Sequence, residues 1–270
     1  MKYYLNNPLA NNGIKPEMQA AELLDATKID YKSFFAGLAP EDEVVLIGGD
    51  GTINHLINAV DCDTLENKVY LFGNGSGNDF LNDIGEKPGK EILLNPYLKN
   101  LPKARVNGKE WKYINNMSFG IDGYCCEVAD KIRAKTPHKK INYTTIAIKG
   151  LLFYFKPRHA TIEVDGVTRE FDNVWLAPAM KGRYCGGGMM LAPGQDRFSG
   201  ELTVIVYSCR SKLKSLMHFP KIFEGKHVEL TDMTTVITGK KVHVKFSRPC
   251  AAQIDGETVL NVTEYQAEQG

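Results

Sequence analysis

No stretch of this 270-residue chain is apolar for long enough to cross a bilayer. The longest apolar run, Ile146 to Phe155, is broken by Lys149 and falls short of the roughly 18 residues a span needs. Any membrane contact is therefore expected to be peripheral. The six cysteines contain no C-x-x-C and no zinc-finger spacing, which argues against a redox motif or a metal finger. Neither sign of charge is in excess, with 33 Lys and Arg against 32 Asp and Glu, so no nucleic-acid partner is expected. There is no internal repeat and no low-complexity segment. The opening MKYYLNNP enters strand-like residues at once and does not read as a leader. The thiols are accordingly expected to be reduced and the protein cytoplasmic.

What is present centres on Glu43 to Asn58, EVVLIGGDGTINHLIN. Val44 to Ile47 form a short uncharged run typical of a strand buried on both faces. Ile53, Leu56, Ile57 and Val60 recur at helical spacing. Between the two lie Gly48, Gly49, Asp50 and Gly51. A strand, a turn lacking Cβ atoms and a helix N-terminus together make an anion site, where amide groups and the helix dipole favour negative charge. Asp50 would repel a bare phosphate, so a metal ion or the proton of an attacking hydroxyl is a better companion for it. The stretch reads as a phosphoryl-transfer site. It is neither a Walker A loop, which needs a following Lys-Ser/Thr, nor a G-x-G-x-x-G dinucleotide fingerprint.

A strand at Lys2 to Leu5, a helix over Pro16 to Ala26, a weak strand near Lys28 to Tyr31 and a short helix at Ser33 to Leu38 are expected before it. Val69 to Phe72 forms another strand, leading into Gly73-Asn74-Gly75-Ser76-Gly77-Asn78-Asp79. Loops at the carboxyl ends of parallel strands lie on one edge of the sheet, where ligands bind. Two such loops can hold a triphosphate from both sides, and Asn7 to Asn11 is a third. Past Pro88 strand-like pieces dominate, separated by turns such as Asp165-Gly166 and Ser199-Gly200. Helices are expected there only near Cys125 to Arg133 and Lys212 to Glu224. The fold class is therefore an α/β nucleotide-binding domain with a parallel sheet, residues 1–116, and a second, mainly antiparallel β-rich domain, residues 117–257. A tail, 258–270, is expected either to end the chain or to return to the first domain.

Taken together, these motifs resemble the diacylglycerol kinase catalytic-domain family, which includes bacterial lipid kinases and the sphingosine and ceramide kinases. The resemblance rests on Asn7-Pro8, on Gly48 to Asn54, and on Gly75-Ser76-Gly77-Asn78-Asp79-Phe80 with Ser76 where Thr is common. It continues in Phe119-Gly120-Ile121-Asp122, in Gly186-Gly187-Gly188 followed by Leu191-Ala192-Pro193, and in Asp255-Gly256-Glu257. Six matches in family order span nearly the whole chain. The resemblance implies ATP and Mg²⁺ as cofactors, a lipid hydroxyl presented at a membrane surface as acceptor, and an active site in the cleft between the domains.

By that resemblance Asn7, Asn11, Gly48, Gly49, Gly51, Thr52, Asn54, Gly75, Ser76 and Asn78 would line the nucleotide. Asp50, Asp79 and Asp122 would hold Mg²⁺ directly or through water. Asp255 and Glu257 would face the reacting groups, with Glu257 the usual proton acceptor. Phosphoryl transfer asks mainly for positioning and charge neutralisation, and carboxylates suit both Mg²⁺ and the hydroxyl proton. Residue types alone leave open which of Asp50, Asp255 and Glu257 takes that proton.

The chain departs from the family pattern in a loop where a structural metal is common. Here it reads Asp196-Arg197-Phe198-Ser199-Gly200-Glu201, so the ligands available would be Asp196, Ser199 and Glu201. The connection after the first helix and the tail past Glu257 are also short. Lys131, Arg133, Lys135, His138, Lys139 and Lys140 precede the apolar Ile141 to Phe155, a pattern that suits a solvated loop or docking on the inner face of a membrane. A homodimer is left open. The alternatives are an NAD kinase or phosphofructokinase-like enzyme sharing the Gly-Gly-Asp-Gly turn, or a catalytically silent nucleotide- or lipid-binding relative. Asn78-Asp79-Phe80 and Asp255-Gly256-Glu257 argue against the first. Intact acids at 50, 79, 122, 255 and 257 argue against the second.

Overall fold

The computed structural model describes residues 1–10, 22–136 and 141–270. In the first layer, strands β1 (Lys2–Asn6), β2 (Leu24–Asp25), β3 (Glu43–Gly48), β4 (Lys68–Gly73) and β5 (Glu91–Leu93) pair in the order β2-β1-β3-β4-β5. All pairs are parallel except β4 with β5. Helices α1 (Tyr31–Ala36), α2 (Asp50–Ala59) and α3 (Asp79–Ile84) accompany this sheet. The central position of β3 explains its apolar run: Val44 to Ile47 are fully buried, as expected of a strand covered on both faces. Val44 and Leu46 join Leu5, Ile53, Leu56 and Phe80 in one core, while Val45 and Ile47 face a smaller cluster. Most of the helix expected over Pro16 to Ala26 lies outside the described residues, and its end, Leu24–Asp25, is strand. The strand expected at Lys28 to Tyr31 does not form; α1 begins there instead.

The second layer contains β6 (Lys103–Val106), β7 (Lys109–Lys112), β8 (Asn116–Phe119), β9 (Arg158–Val164), β10 (Val167–Leu176) and β11 (Ala179–Met180). The small hairpin β12 (Tyr184–Cys185) and β13 (Met189–Met190) forms a sheet of its own. The larger sheet is completed by β14 (Leu202–Ser208), β15 (Thr234–Gly239), β16 (Lys241–Ile254) and β17 (Glu257–Glu268). Every pair in it is antiparallel. The long strand β16 pairs with β9 through Val242 to Phe246 and with β8 through Ala252 to Ile254. The pairing path β16-β8-β11-β14-β10-β9 thus returns to β16 and encloses a core that includes Met117, Phe119, Ile162, Val204 and Phe246.

Helices α4 (Ile121–Lys135) and α5 (Tyr143–Lys149) pack outside this ring, and a wider π-type turn at Gly150–Tyr154 continues α5. Helix α6 (Lys212–His218) is shorter than the expected Lys212 to Glu224, because Pro220 falls in a tighter turn that follows it. Gly123 lets α4 lie directly on β16, since a Cβ there would come within 2.2 Å of the Ala251 carbonyl oxygen.

Two features differ from the expected boundaries. β6 and β7 already belong to the larger sheet, so by strand pairing the layers change near Leu101 rather than at 116/117. Residues 257–268 form β17, bonded to β16 and β6, rather than a loose tail or a strand of the first sheet. The layers are joined through α2. The Asn58 amide donates to the Lys112 carbonyl (2.9 Å) and accepts from the Lys112 N–H (2.8 Å).

Candidate active site

The strand β3–α2 loop and the β4–α3 loop meet at two glycines. A Cβ on Gly49 would lie 2.7 Å from the Gly75 Cα, and one on Gly75 would lie 2.6 Å from the Gly49 Cα. Real Cβ atoms do not approach backbone this closely, so only glycine fits at either position. Gly48 is similarly held, since its Cβ would meet the Thr52 hydroxyl. That hydroxyl accepts from the Asn7 amide at 3.1 Å, which ties the end of β1 to the same edge. Asn7, Gly49, Gly51, Thr52, Gly75 and Ser76 all line one cavity of about 1420 Å³. Gly48 and Asn78 sit just behind it, with Asn78 in a left-handed conformation (φ 54°) and its amide on the Gly75 carbonyl (3.0 Å). Asn54 does not line the cavity; its amide donates to Asp255. Asn11 lies outside the described residues.

The acids fall into two kinds. Asp50 opens α2, yet its carboxylate serves the next helix, accepting from the N–H groups of Asp79 (3.1 Å) and Phe80 (2.9 Å) at the start of α3, and from the Asn115 amide (2.9 Å). Asp79 is buried and accepts from Gly187 (2.9 Å) and Gly188 (2.8 Å). Gly186, Gly187 and Gly188 all have φ between 66° and 104°, a region where side chains are strained, so the triple glycine is what turns these amides inward. Burial, and next the neighbouring charge of Asp50, pushes Asp79 up to about 7, against the pull of those two amides. Asp122, in the first turn of α4, accepts from Gly123 (2.9 Å) and Gln253 (3.3 Å), and burial raises its pKa.

Asp255 lies in the turn between β16 and β17, and Glu257 follows it as the first residue of β17. Asp255 (φ 48°) and Gly256 (φ 93°) give the turn the left-handed pair a two-residue hairpin requires. The Asp255 carboxylate turns back and accepts from Ile114 (2.7 Å), Asn115 (2.8 Å), Asn116 (3.0 Å) and the Asn54 amide (3.0 Å). It is buried and pushed up to about 6 by that burial, with the four donors opposing. Glu257 differs in having no hydrogen-bond partner for its carboxylate among the described residues. It faces the cavity near Gly51, whose Cβ would lie 3.5 Å from Glu257 Oε1. Partial desolvation and then Asp130 raise its pKa, against Arg133 and His55.

The remaining expected ligands do not reach this cavity. Asp196 accepts from the Phe198 N–H (2.9 Å), Ser199 and Glu201 hydrogen-bond within the same turn, and none of the three lines the cavity. The residue in this loop that turns inward is Arg197. It donates to Asp83 (2.7 Å), the Ile114 carbonyl (2.6 Å) and the Asn115 side chain (3.1 Å). Asp83 on α3 also holds Arg183 at 2.9 Å. A guanidinium thus supplies a cation where the layers meet. Among the described residues no three His, Cys, Asp or Glu side chains gather as a metal-ligand set, so Asp50, Asp79 and Asp122 do not fit a direct three-carboxylate site.

Sequence reasoning missed Asn115, which touches Asp50, Asp255 and Arg197 at once; the Asn115-Asn116 pair at the start of β8 is its one visible trace. It also missed the character of the cavity's other end. There the lining is richer in apolar side chains, including Ile121, Leu151, Trp175, Leu176, Phe219 and Ile222, with Arg133, Asn142, Thr144 and Ser215 among them. The first half of the basic stretch is spent locally, Lys131 on Glu127 and Arg133 on Asp130. His138, Lys139 and Lys140 lie outside the described residues. Among the described residues, no helix is long and apolar enough to cross a membrane.

Comparison with known proteins places these features. Residues 9–101 match the diacylglycerol kinase catalytic domain, and residues 115–266 match the YegS C-terminal NAD kinase beta sandwich-like domain. A diacylglycerol kinase of Mycobacterium tuberculosis is 26% identical over 264 residues, covering 89% of this chain and 84% of the relative. A crystal structure of a diacylglycerol kinase from Bacillus anthracis superposes with a TM-score of 0.66 at 18% identity, covering 99% of this chain and 93% of that one.

Proposed function

From a chain that belongs to the diacylglycerol kinase family, we propose an ATP-dependent lipid kinase that passes the terminal phosphoryl group to the hydroxyl of a diacylglycerol-like acceptor. The observation that carries this is the single cavity with two unlike ends. The glycine-lined end, at the head of α2, suits the phosphates of a nucleotide. The apolar end suits hydrocarbon chains. Glu257 stands beside the glycine-lined end with an unengaged carboxylate and a raised pKa, the condition for accepting a proton from an attacking hydroxyl.

The proton-acceptor role goes to Glu257 rather than to Asp50 or Asp255, whose oxygens are occupied by amide donors. Those two position the loops: Asp50 holds the start of α3, and Asp255 ties the hairpin to residues 114–116. Mg²⁺ is expected to arrive with the triphosphate, where it would neutralise phosphate charge. The described acids do not form a direct ligand set for it, so no step is assigned to the ion.

The test is transfer of label from ATP, with Mg²⁺ supplied, to a panel of diacylglycerol, other lipid alcohols, NAD and sugar phosphates. Label on a lipid hydroxyl is the expected result. Label on NAD or a sugar phosphate alone would overturn the acceptor, and ATP binding without any transfer would make the chain a silent relative.

A further inference from the structure

A second cavity, of about 400 Å³, opens across α4 from the first. Tyr124 and Glu127 of α4 line it, whereas Asp122, Cys125, Cys126 and Arg133 face the larger cavity, as the helical period requires for opposite faces. It exists because the β16–β17 ladder slips between Lys245 and Cys250. Pro249 has no N–H to give, and Asn261 on the facing strand adopts φ 56°. The bulge opens the ladder and leaves Arg248 exposed on its outer side.

The walls carry Lys156, Arg158 and Arg248 against a single acid, Glu127, which is already paired with Lys131. Among the described residues, none of the three cations has a carboxylate within salt-bridge distance. Arg158 Nη1 donates to the Lys156 carbonyl, but its Nε is buried without a hydrogen-bond partner, and the guanidinium sits 5.0 Å from the Phe155 ring. Burial lowers the Arg158 pKa; Cys250 opposes that, and the charge of Arg248 adds to it. A half-buried cation beside another cation, with no carboxylate near either, is stabilised when an anion completes the site. At the rim, Phe153 and Tyr154 are 71% and 68% exposed; adjacent aromatics of this kind, one with a polar tip, suit the level of lipid headgroups.

We propose that this cavity binds the phosphate of an anionic phospholipid at a bilayer surface, with Arg158 and Arg248 on the phosphate oxygens and Phe153 and Tyr154 in the interfacial layer. The two non-bridging oxygens of a phosphate diester can each accept from one guanidinium group. The exposed aromatic pair favours a lipid over a soluble phosphate. The site is separate from the transfer reaction and does not depend on it.

The test is co-sedimentation of the full chain with phosphatidylcholine vesicles, with and without phosphatidylglycerol and in the absence of nucleotide. Binding is expected to require phosphatidylglycerol. Arg248→Gln should weaken it about fivefold, and the Arg158→Gln/Arg248→Gln pair about thirtyfold, from the attraction of each basic residue at an anionic surface. Arg248 is exposed on a bulge, so its substitution leaves the fold intact, as a melting curve would confirm. Equal vesicle affinity for R248Q and the unaltered chain would overturn the proposal. So would binding of soluble glycerol 3-phosphate that R248Q abolishes, in a chain that ignores the vesicles: that result would make the occupant a soluble phosphate.

Discussion

The two ends of the main cavity are made of opposite materials. At the glycine-lined end nearly everything is backbone: two loops in contact through Gly49 and Gly75, and acids whose oxygens are taken up by amides. At the far end nearly everything is side chain, from Ile121 and Trp175 to Ile222 and Phe223. The first end discriminates by geometry, because a backbone cradle changes shape only if the chain is rerouted. The second discriminates by volume and apolar area, which substitution can alter one residue at a time. Under the proposed function, that division of materials predicts a constant phosphoryl donor and an adjustable acceptor.

Three experiments would break or sharpen it. Glu257→Gln, at the boundary between the ends, should lower turnover by about 10²–10⁴-fold, the usual worth of a general base. Its melting temperature should stay unchanged, because the carboxylate it loses holds nothing. A variant that turns over normally would remove Glu257 from the chemistry.

Phe223→Ser acts at the apolar end alone. It should raise KM for a long-chain acceptor about tenfold, in line with losing the apolar area that an aromatic ring offers to a hydrocarbon chain, and leave KM for the nucleotide unchanged. Equal effects on both substrates would show that the ends are not independent.

The third test concerns the glycine-lined end and reads stability rather than activity. Asp79 and Asp255 are raised to about 7 and about 6 in the fold, above the usual carboxylate value near 4. Between about pH 4 and pH 7 the folded state therefore holds more protons than the unfolded one. Stability should fall as pH rises through that window. Melting temperatures measured across it should decline with pH, and Asp79→Asn should flatten the decline. A slope identical in the variant would mean that Asp79 does not carry the shift.

How much of this was legible beforehand depends on the kind of bond involved. The Gly48 to Thr52 turn could be read because a strand, a run without Cβ atoms and a helix are each local patterns. The purpose of its acid could not. Asp50 looked like a metal or proton ligand, yet its partners are amides 29 and 30 residues away at the start of α3. Asp255-Gly256-Glu257 shows the same limit. The triplet is a hairpin turn by local geometry and also a junction between layers, and only tertiary contact separates the engaged carboxylate from the free one. In the loop at Asp196 to Glu201 the local pattern is one of oxygen ligands, whereas Arg197 makes the buried contacts, and its partner Asp83 lies 114 residues away. The family resemblance supplied candidates, of which Asn54, Asp196, Ser199 and Glu201 do not line the cavity; the partners of the others are set by long-range hydrogen bonds.

The pairing of Asn58 with Lys112 has a consequence for the behaviour of the protein in solution. β7 is the outermost strand of the larger sheet, and an open strand edge invites a foreign strand to dock. At Lys112 the outward N–H and C=O are both satisfied by one side-chain amide from α2, which mimics the strand that would otherwise add there. The flanking Lys109, Glu110 and Lys112 further disfavour an apolar newcomer. The helix that leads away from the glycine turn thus also serves as a guard against edge-to-edge aggregation, and losing its asparagine would first be felt as reduced shelf life in concentrated solution.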